Sequence, residues 1–361
     1  MEEIEDRVIF HRLIPPEEAL ERLKVYVPLK PLSVEEVPLE KALGRVLAED
    51  IVAKVDIPPF DRSTVDGYAV YSLDVAGARE DRPVELKVVG KIEAGEAKIL
   101  KISRGECVEV ATGAPLPQGA NAVVMVEYTK RIEDKLLVYR PVSPGENVSY
   151  TASDVMVGEV IAYKGTQLTP QIIGALATAG YKRVKVYVKP KVAIISTGNE
   201  LIEPGQRISY GKIYDTNSYM LYAAVLEDLG EPYIIGIIPD KPKLIEDTLR
   251  KAINKYDVIL TSGSTSAGPG DVMYKILDKL GKPGVIVHGL NIKPGKPTVI
   301  AAVNGKPVFG LPGYPVSCLM NYNLIVKPVI RALAGLKGEE KATVKATLCL
   351  LYTSPSPRDL S

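Results

Sequence analysis

The spacing of apolar residues changes twice along this chain, and each change marks a change of architecture. Ala19, Leu20, Leu23 and Val27 recur at helical spacing behind Pro15 and Pro16, so the pattern predicts a first helix over 15–27. From about 50 to 140 the apolar positions shorten into β-rich runs separated by glycine, at 84–89, 107–110, 122–126 and 136–139. A short helix over 169–180, closed by Gly180, and a strand over 184–188 follow.

From Pro190 onward the pattern alternates. Apolar strand-like runs at 192–196, 233–238, 258–260, 285–287 and 308–309 are interleaved with helical stretches at 217–229, 241–256, 271–280 and 315–333. That alternation predicts a doubly wound α/β domain in a multidomain α/β chain. Asp215, Thr216 and Asn217 offer N-caps for the first of these helices, and Gly230 closes it. Asn304-Gly305, between apolar runs at 299–303 and 308–309, is a hairpin signal and predicts locally antiparallel last strands.

Five loops follow the five strand-like runs, and each ends in residues suited to phosphate, an oxyanion or a divalent cation. They are Thr197-Gly198-Asn199-Glu200, Pro239-Asp240, the stretch 262–271, Lys293-Pro294-Gly295-Lys296-Pro297 and Leu311-Pro312-Gly313-Tyr314-Pro315. Ligands of open α/β sheets sit beyond the carboxyl ends of the strands, so these loops should converge on one rim. Glu200, Asp240 and Asp271 at three strand ends would repel one another unless protonated or neutralised by a cation, and magnesium is the simplest answer. The alternative for each is a helix-capping or solvated carboxylate. The loop 261–271, with Gly263, Ser264 and Ser266, reads as a cradle for phosphate or carboxylate at a helix N-terminus, or as a plain linker. Lys293 and Lys296 flank a stiff turn that could present two ammonium groups to one dianion; ordinary surface lysines are the alternative. No Walker A motif is present.

Composition narrows the field. A chain of 361 residues suggests two to four domains, and 46% apolar with 25% charged residues is a soluble globular balance. No apolar run approaches a membrane span, and a net charge of +1 gives no electrostatic case for nucleic acid. The acidic start, Glu2-Glu3-Ile4-Glu5-Asp6, lacks the features of a secretory signal and argues for the cytoplasm. Cys107, Cys318 and Cys349 lack metal or disulfide spacing. With His11 and His288 as the two histidines and no G-x-S-x-G elbow, multi-His metal sites and a serine triad are disfavoured.

Six motifs, taken together, resemble those of the molybdenum insertase family, the molybdopterin molybdotransferases that include the E domain of gephyrin. They are Phe60-Asp61-Arg62-Ser63-Thr64-Val65-Asp66-Gly67-Tyr68-Ala69, Ala111-Thr112-Gly113-Ala114-Pro115, Ser196-Thr197-Gly198-Asn199-Glu200-Leu201, Tyr214-Asp215-Thr216-Asn217, Lys293-Pro294-Gly295-Lys296-Pro297 and Gly310-Leu311-Pro312-Gly313-Tyr314-Pro315-Val316-Ser317. The resemblance implies insertion of molybdate or tungstate into adenylylated molybdopterin with magnesium, release of AMP, and a homodimer whose site lies between two subunits. It implies that Asp66 and Thr112 line the cleft from the partner copy and that Glu200, Asp240 and Asp271 serve magnesium and adenylate hydrolysis. Lys293, Lys296 and Ser317 would hold the oxyanion or pterin phosphate. Gly263, Ser264 and Ser266 would cradle the pterin nucleotide, with Pro312 and Pro315 in the same substrate site.

Residues 28–50 and 141–188 then form a linking domain, 51–140 an inserted β-rich domain, and 1–27 with 189–335 the doubly wound domain. Residues 336–361 read as a remnant of a truncated C-terminal β-barrel, with a non-native or disordered tail. The chain departs from the family pattern at Gly263-Ser264, where two glycines are usual, at Ser218, where arginine is common, and at Tyr314, where asparagine is frequent. Two competing readings are a molybdopterin adenylyltransferase, whose family resembles the 190–335 region, and a non-catalytic gephyrin-like scaffold.

Overall fold

The computed structural model describes residues 13–263, 272–336 and 344–346. The second half is built on a six-stranded mixed sheet. Its strands and packed helices are α1 (Pro16–Tyr26), β1 (Lys191–Thr197), α2 (Asn217–Glu227), β2 (Glu231–Ile238), α3 (Pro242–Lys255), β3 (Val258–Ser262), α4 (Val272–Lys279), β4 (Pro283–His288), β5 (Val299–Val303), β6 (Lys306–Leu311), α5 (Pro315–Asn321) and α6 (Lys327–Leu333). Strand order is β2-β1-β3-β6-β5-β4, with β2, β1, β3 and β6 mutually parallel and β5 antiparallel to both its neighbours.

The central strands are buried on both faces, which is why they read as unbroken apolar runs rather than alternating ones. Successive side chains of β1 go to opposite cores. Val192 and Ile194 pack with Leu23 of α1, Leu221 and Val225 of α2, Cys318 of α5 and Ile330 of α6. Ala193 and Ile195 pack with Ile245 and Leu249 of α3 and Ile276 and Leu277 of α4. Helices therefore cover both faces, and the first helix of the chain belongs to this unit's packing.

The hairpin signal is realised as a turn with Asn304 at φ 53° and Gly305 at φ 77°, the two positive values that a type I′ turn demands. It reverses β5, so β4 and β6 point the same way, and the ends of all five other strands share one edge of the sheet. One sequence expectation needs correction, and one of the three N-cap candidates is selected. The run 315–333 is not one helix: a π-helical turn, Tyr322–Val326, separates α5 from α6. Pro328 has no N–H to offer the carbonyl four residues back, and the wider turn precedes it. Thr216, at the cap position of α2, makes no side-chain capping bond. Asp215 Oδ1 instead accepts the Ser218 N–H at 3.1 Å.

A second six-stranded sheet occupies the β-rich region, in the order Ala122–Met125, Gly67–Val70, Glu106–Val110, Val84–Ile92, Lys135–Val138, Thr129–Ile132. Separate apolar clusters cover its faces, one around Tyr68, Leu86 and Leu136 and one around Ile92, Val108 and Val123. Flanking the β-rich region in sequence, Val34–Pro38 before it pairs antiparallel with Arg183–Tyr187 after it, and the helix Pro170–Thr178 packs Leu176 onto this small layer. Val46 meets Leu229 and Ala334, joining the small layer to the doubly wound unit. The expectation for 336–361 falls outside the described residues, apart from Leu336 and residues 344–346.

Candidate functional site

At the shared strand ends lies a cavity of about 490 Å³ lined by residues from five separated segments. Thr197, Glu200 and Leu201 come from the loop after β1, Ile213 to Asn217 from the approach to α2, Ser262 and Gly263 from the end of β3, Pro297 from the turn before β5, and Pro312 to Pro315 from the loop after β6. Of the residues singled out by sequence, Glu200, Gly263, Pro312 and Pro315 meet here.

The floor is a buried polar network. Ser196 Oγ donates to Asp215 Oδ1 at 2.9 Å and lies 2.9 Å from Ser218 Oγ, with Asp215 4% exposed and Ser218 fully buried. Ser218 is thus turned inward, into this network. Asn217 ties three segments together: its Nδ2 donates to Ser262 Oγ at 2.6 Å and to the Gly313 carbonyl at 2.7 Å. Gly263 is required by contact, because a Cβ there would sit 2.2 Å from the Thr197 carbonyl oxygen, and by its φ of +100°. Asp215, Asn217 and Ser262 were legible as capping, motif or rim-loop residues but were given no part in the site. Their role as cavity lining comes from the sheet bringing distant segments together.

Glu200 folds its carboxylate over Gly198, where a Cβ would lie 2.6 Å from Oε2. Asp240, at the neighbouring strand end, is engaged with the same loop: its Oδ2 accepts the Asn199 N–H at 3.2 Å. It does not line the cavity itself. Among the described residues no cluster of three or more His, Cys, Asp or Glu is arranged to hold a metal. Ser264, Ser266 and Asp271 lie outside the described residues.

Lys293 and Lys296 are both exposed on the turn that runs into Pro297, beside the cavity and not in its lining. Ser317 lies in α5, just past Pro315, and is 9% exposed.

Asp66 and Thr112 form a second, separate site. Asp66 Oδ1 accepts from Thr112 N at 2.7 Å and from Thr112 Oγ1 at 3.0 Å, so the two loops that carry them are clasped. These bonds, the backbone one foremost, hold the Asp66 carboxyl below its ordinary range. Asp66 opens on a cavity of about 260 Å³ with Lys91, Glu93 and Glu109, none of which belongs to the first cavity. Asp61 acts in the same way a few residues earlier, accepting from Thr151 N and Oγ1, each at 2.8 Å.

A doubly wound sheet with a loop-lined cavity at its strand ends is the frame of a molybdopterin-binding domain, and residues 193–332 match the family model described as a probable molybdopterin binding domain. Residues 14–180 match that of the MoeA N-terminal region, domains I and II. The chain belongs to the MoeA, or molybdopterin molybdenumtransferase, family. It is 37% identical over 347 residues to a molybdopterin molybdenumtransferase of Staphylococcus aureus (strain COL), covering 95% of this chain and 81% of that protein. To the Bacillus subtilis (strain 168) protein of the same name it is 36% identical, covering 95% and 80%. Crystal structures of a molybdopterin biosynthesis MoeA protein from Pyrococcus horikoshii superpose with TM-scores of 0.76 and 0.74 at 43% and 42% identity, covering 90% of this chain and 81% and 80% of theirs.

Proposed function

We propose that this protein acts in molybdenum cofactor biosynthesis as a molybdopterin molybdenumtransferase, inserting the metal of molybdate or tungstate into adenylylated molybdopterin with release of AMP. The observation that carries the reading is the strand-end cavity. It combines two carboxylates, Glu200 and the nearly buried Asp215, with a glycine, Gly263, that lets a ligand approach the backbone, and it lies beside an exposed lysine pair. Carboxylate and ammonium groups side by side suit a substrate set that includes a divalent cation, a phosphate and an oxyanion.

Glu200 and Asp240, with Asp271, would hold magnesium, which when bound neutralises the charge of the leaving phosphate. Lys293 and Lys296 would draw in the oxyanion, with Ser317 nearby. Gly263, Ser264 and Ser266 would receive the pterin nucleotide. Asp66, clasped to Thr112, lines a different cavity from Glu200, and a homodimer that brings Asp66 of one copy to the cavity of the other would use both acidic sites.

The inserted β-rich domain, within the region 14–180 that matches the MoeA N-terminal model, favours this reading over a molybdopterin adenylyltransferase, whose family resembles the 190–335 region. Retention of Glu200, Asp240 and Asp271 weighs against a scaffold without catalysis. The test supplies adenylylated molybdopterin, magnesium and molybdate or tungstate, and follows AMP and metal-loaded pterin together. Coupled appearance of both, lost in Glu200→Ala and Asp271→Ala, is the expected result. AMP without metal loading would defeat the insertion reading.

A further inference from the structure

The lysine turn is gripped from beneath by a residue that no sequence motif singled out. Asn321, the last residue of α5, is fully buried. Its Nδ2 donates to the Gly295 carbonyl at 2.9 Å and to Thr298 Oγ1, while Thr298 Oγ1 donates to the same Gly295 carbonyl at 2.9 Å. Gly295 lies so close that a Cβ there would be 2.5 Å from Asn321 Oδ1. The base of the turn is closed separately, by Leu290 N to the Lys296 carbonyl at 3.0 Å and Gly289 N to the Thr298 carbonyl at 2.8 Å. Asn321 therefore acts on the tip of the turn, between the two lysines.

The same helix that ends in Asn321 begins at Pro315 in the cavity wall. One short rigid element thus ties the tip of the lysine turn to the cavity, and Pro297 at the end of the turn is itself part of the lining. A π-helical turn starts immediately after Asn321, and Tyr322 is anchored there by its hydroxyl donating to Asp228 Oδ2 at 2.9 Å. The position of Asn321 is fixed from its C-terminal side as well.

We propose that Asn321 is a positioning residue for oxyanion capture, setting Lys293 and Lys296 against the cavity through the Gly295 carbonyl and Thr298. It touches no substrate and acts only through the turn. The inference rests on the reading of the two lysines as the oxyanion-binding pair.

The test is steady-state kinetics on the full chain with molybdate and, separately, tungstate, for Asn321→Leu, Thr298→Val, Lys293→Ala/Lys296→Ala, and the last combined with each of the first two. Thr298→Val keeps the shape of the side chain and serves if Asn321→Leu fails to fold. Either single variant should raise the KM for the oxyanion by about three- to tenfold, the worth of one or two hydrogen bonds. The kcat and the KM for the adenylylated pterin should stay within about twofold if the lysines hold the oxyanion and not the pterin phosphate; a rise in the pterin KM with an unchanged oxyanion KM would overturn the inference. In the lysine-free background neither substitution should add anything. An unchanged oxyanion KM in both variants, alongside a large effect of the lysine double variant, would overturn the role of Asn321 alone. Equal losses in every kinetic constant, or full additivity with the lysine variant, would overturn it by showing general damage. If removing both lysines leaves the oxyanion KM unchanged, the lysine reading falls and this inference with it.

Discussion

Asn199 and Asp240 hold each other by a reciprocal pair of bonds: Asp240 N donates to Asn199 Oδ1, and Asn199 N donates to Asp240 Oδ2, both at 3.2 Å. Two loops from adjacent parallel strands are thereby locked in register, and the lock puts Asp240 next to the loop that carries Glu200. Asp240→Asn keeps an oxygen to accept the Asn199 N–H but removes the charge. It should leave the melting temperature within about 2 °C, since surface changes that spare a contact cost little. The magnesium concentration for half-maximal turnover should rise at least about tenfold, as one of few anionic ligands is lost. A magnesium titration of AMP release decides it, and an unchanged midpoint would remove Asp240 from the metal site.

Gly198→Ala places a methyl 2.6 Å from Glu200 Oε2 and 2.8 Å from its Cδ. The carboxylate is the far end of a flexible side chain and can swing away, so the stability cost is set chiefly by the backbone, whose φ of +152° a side chain rarely adopts, and should be about 1–3 kcal/mol. Turnover should fall far more than stability does. Urea unfolding and AMP release measured on the same preparation separate the two effects.

The Asp66 carboxyl titrates below its ordinary value because Thr112 donates to it twice. Its clasp is fully present above the unfolded carboxylate value of about 3.9 and is lost as pH falls through the lower folded value. Thr112→Val deletes the hydroxyl donor and keeps the backbone one. The Asp66 titration should therefore move up, toward the ordinary range without reaching it, and loss of the clasp on acidification should begin at higher pH. Carbon-detected NMR of the side-chain carboxyl reads this directly, and an unmoved midpoint would show that the hydroxyl contributes nothing.

Tyr322→Phe removes the hydroxyl that donates to the buried Asp228 carboxylate and leaves Arg331 and Lys327 at 3.6 and 3.7 Å. Burial already pushes the Asp228 carboxyl up, and the tyrosine opposes that push. The loss should destabilise the fold by about 1–3 kcal/mol, the cost of an unsatisfied buried acceptor. Chemical denaturation measures it, and a change below about 0.5 kcal/mol would mean that the cations suffice.

Cys107 and Cys318 are both buried, and burial raises each thiol to about 12. Neither forms an appreciable thiolate at neutral pH, so both should resist alkylation by iodoacetamide until the chain is unfolded. Peptide mass spectrometry before and after denaturation checks this.

Much of the doubly wound unit was legible because its strands are covered on both sides and its helices carry a continuous apolar stripe; 192–196 and 217–229 could hardly pack otherwise. Asn304-Gly305 announced the reversal through local backbone preference alone. Glu200 and Gly263 were visible as strand-end residues, and the fold brought them together. Asn217 and Ser262 were not visible as partners, since 45 residues separate them and only the parallel sheet makes them neighbours. Asn321 left one faint trace, a polar residue among Cys318, Tyr322 and Ile325 in an apolar helical stripe. Its target lies 26 residues earlier, which periodicity cannot reveal. The π turn before Pro328 escaped because the apolar spacing runs through it almost undisturbed.

Helix α1 has a practical consequence for dissecting the molecule. Leu23 and Ala19 lie under Ile300 and Val287 in the same apolar core, although they precede β1 by more than 160 residues. A fragment beginning at residue 189 would present this flank of the sheet bare to solvent, inviting self-association. Independent expression of the cavity-bearing half calls for grafting residues 13–27 back on, either in trans as a peptide or through a circular permutation.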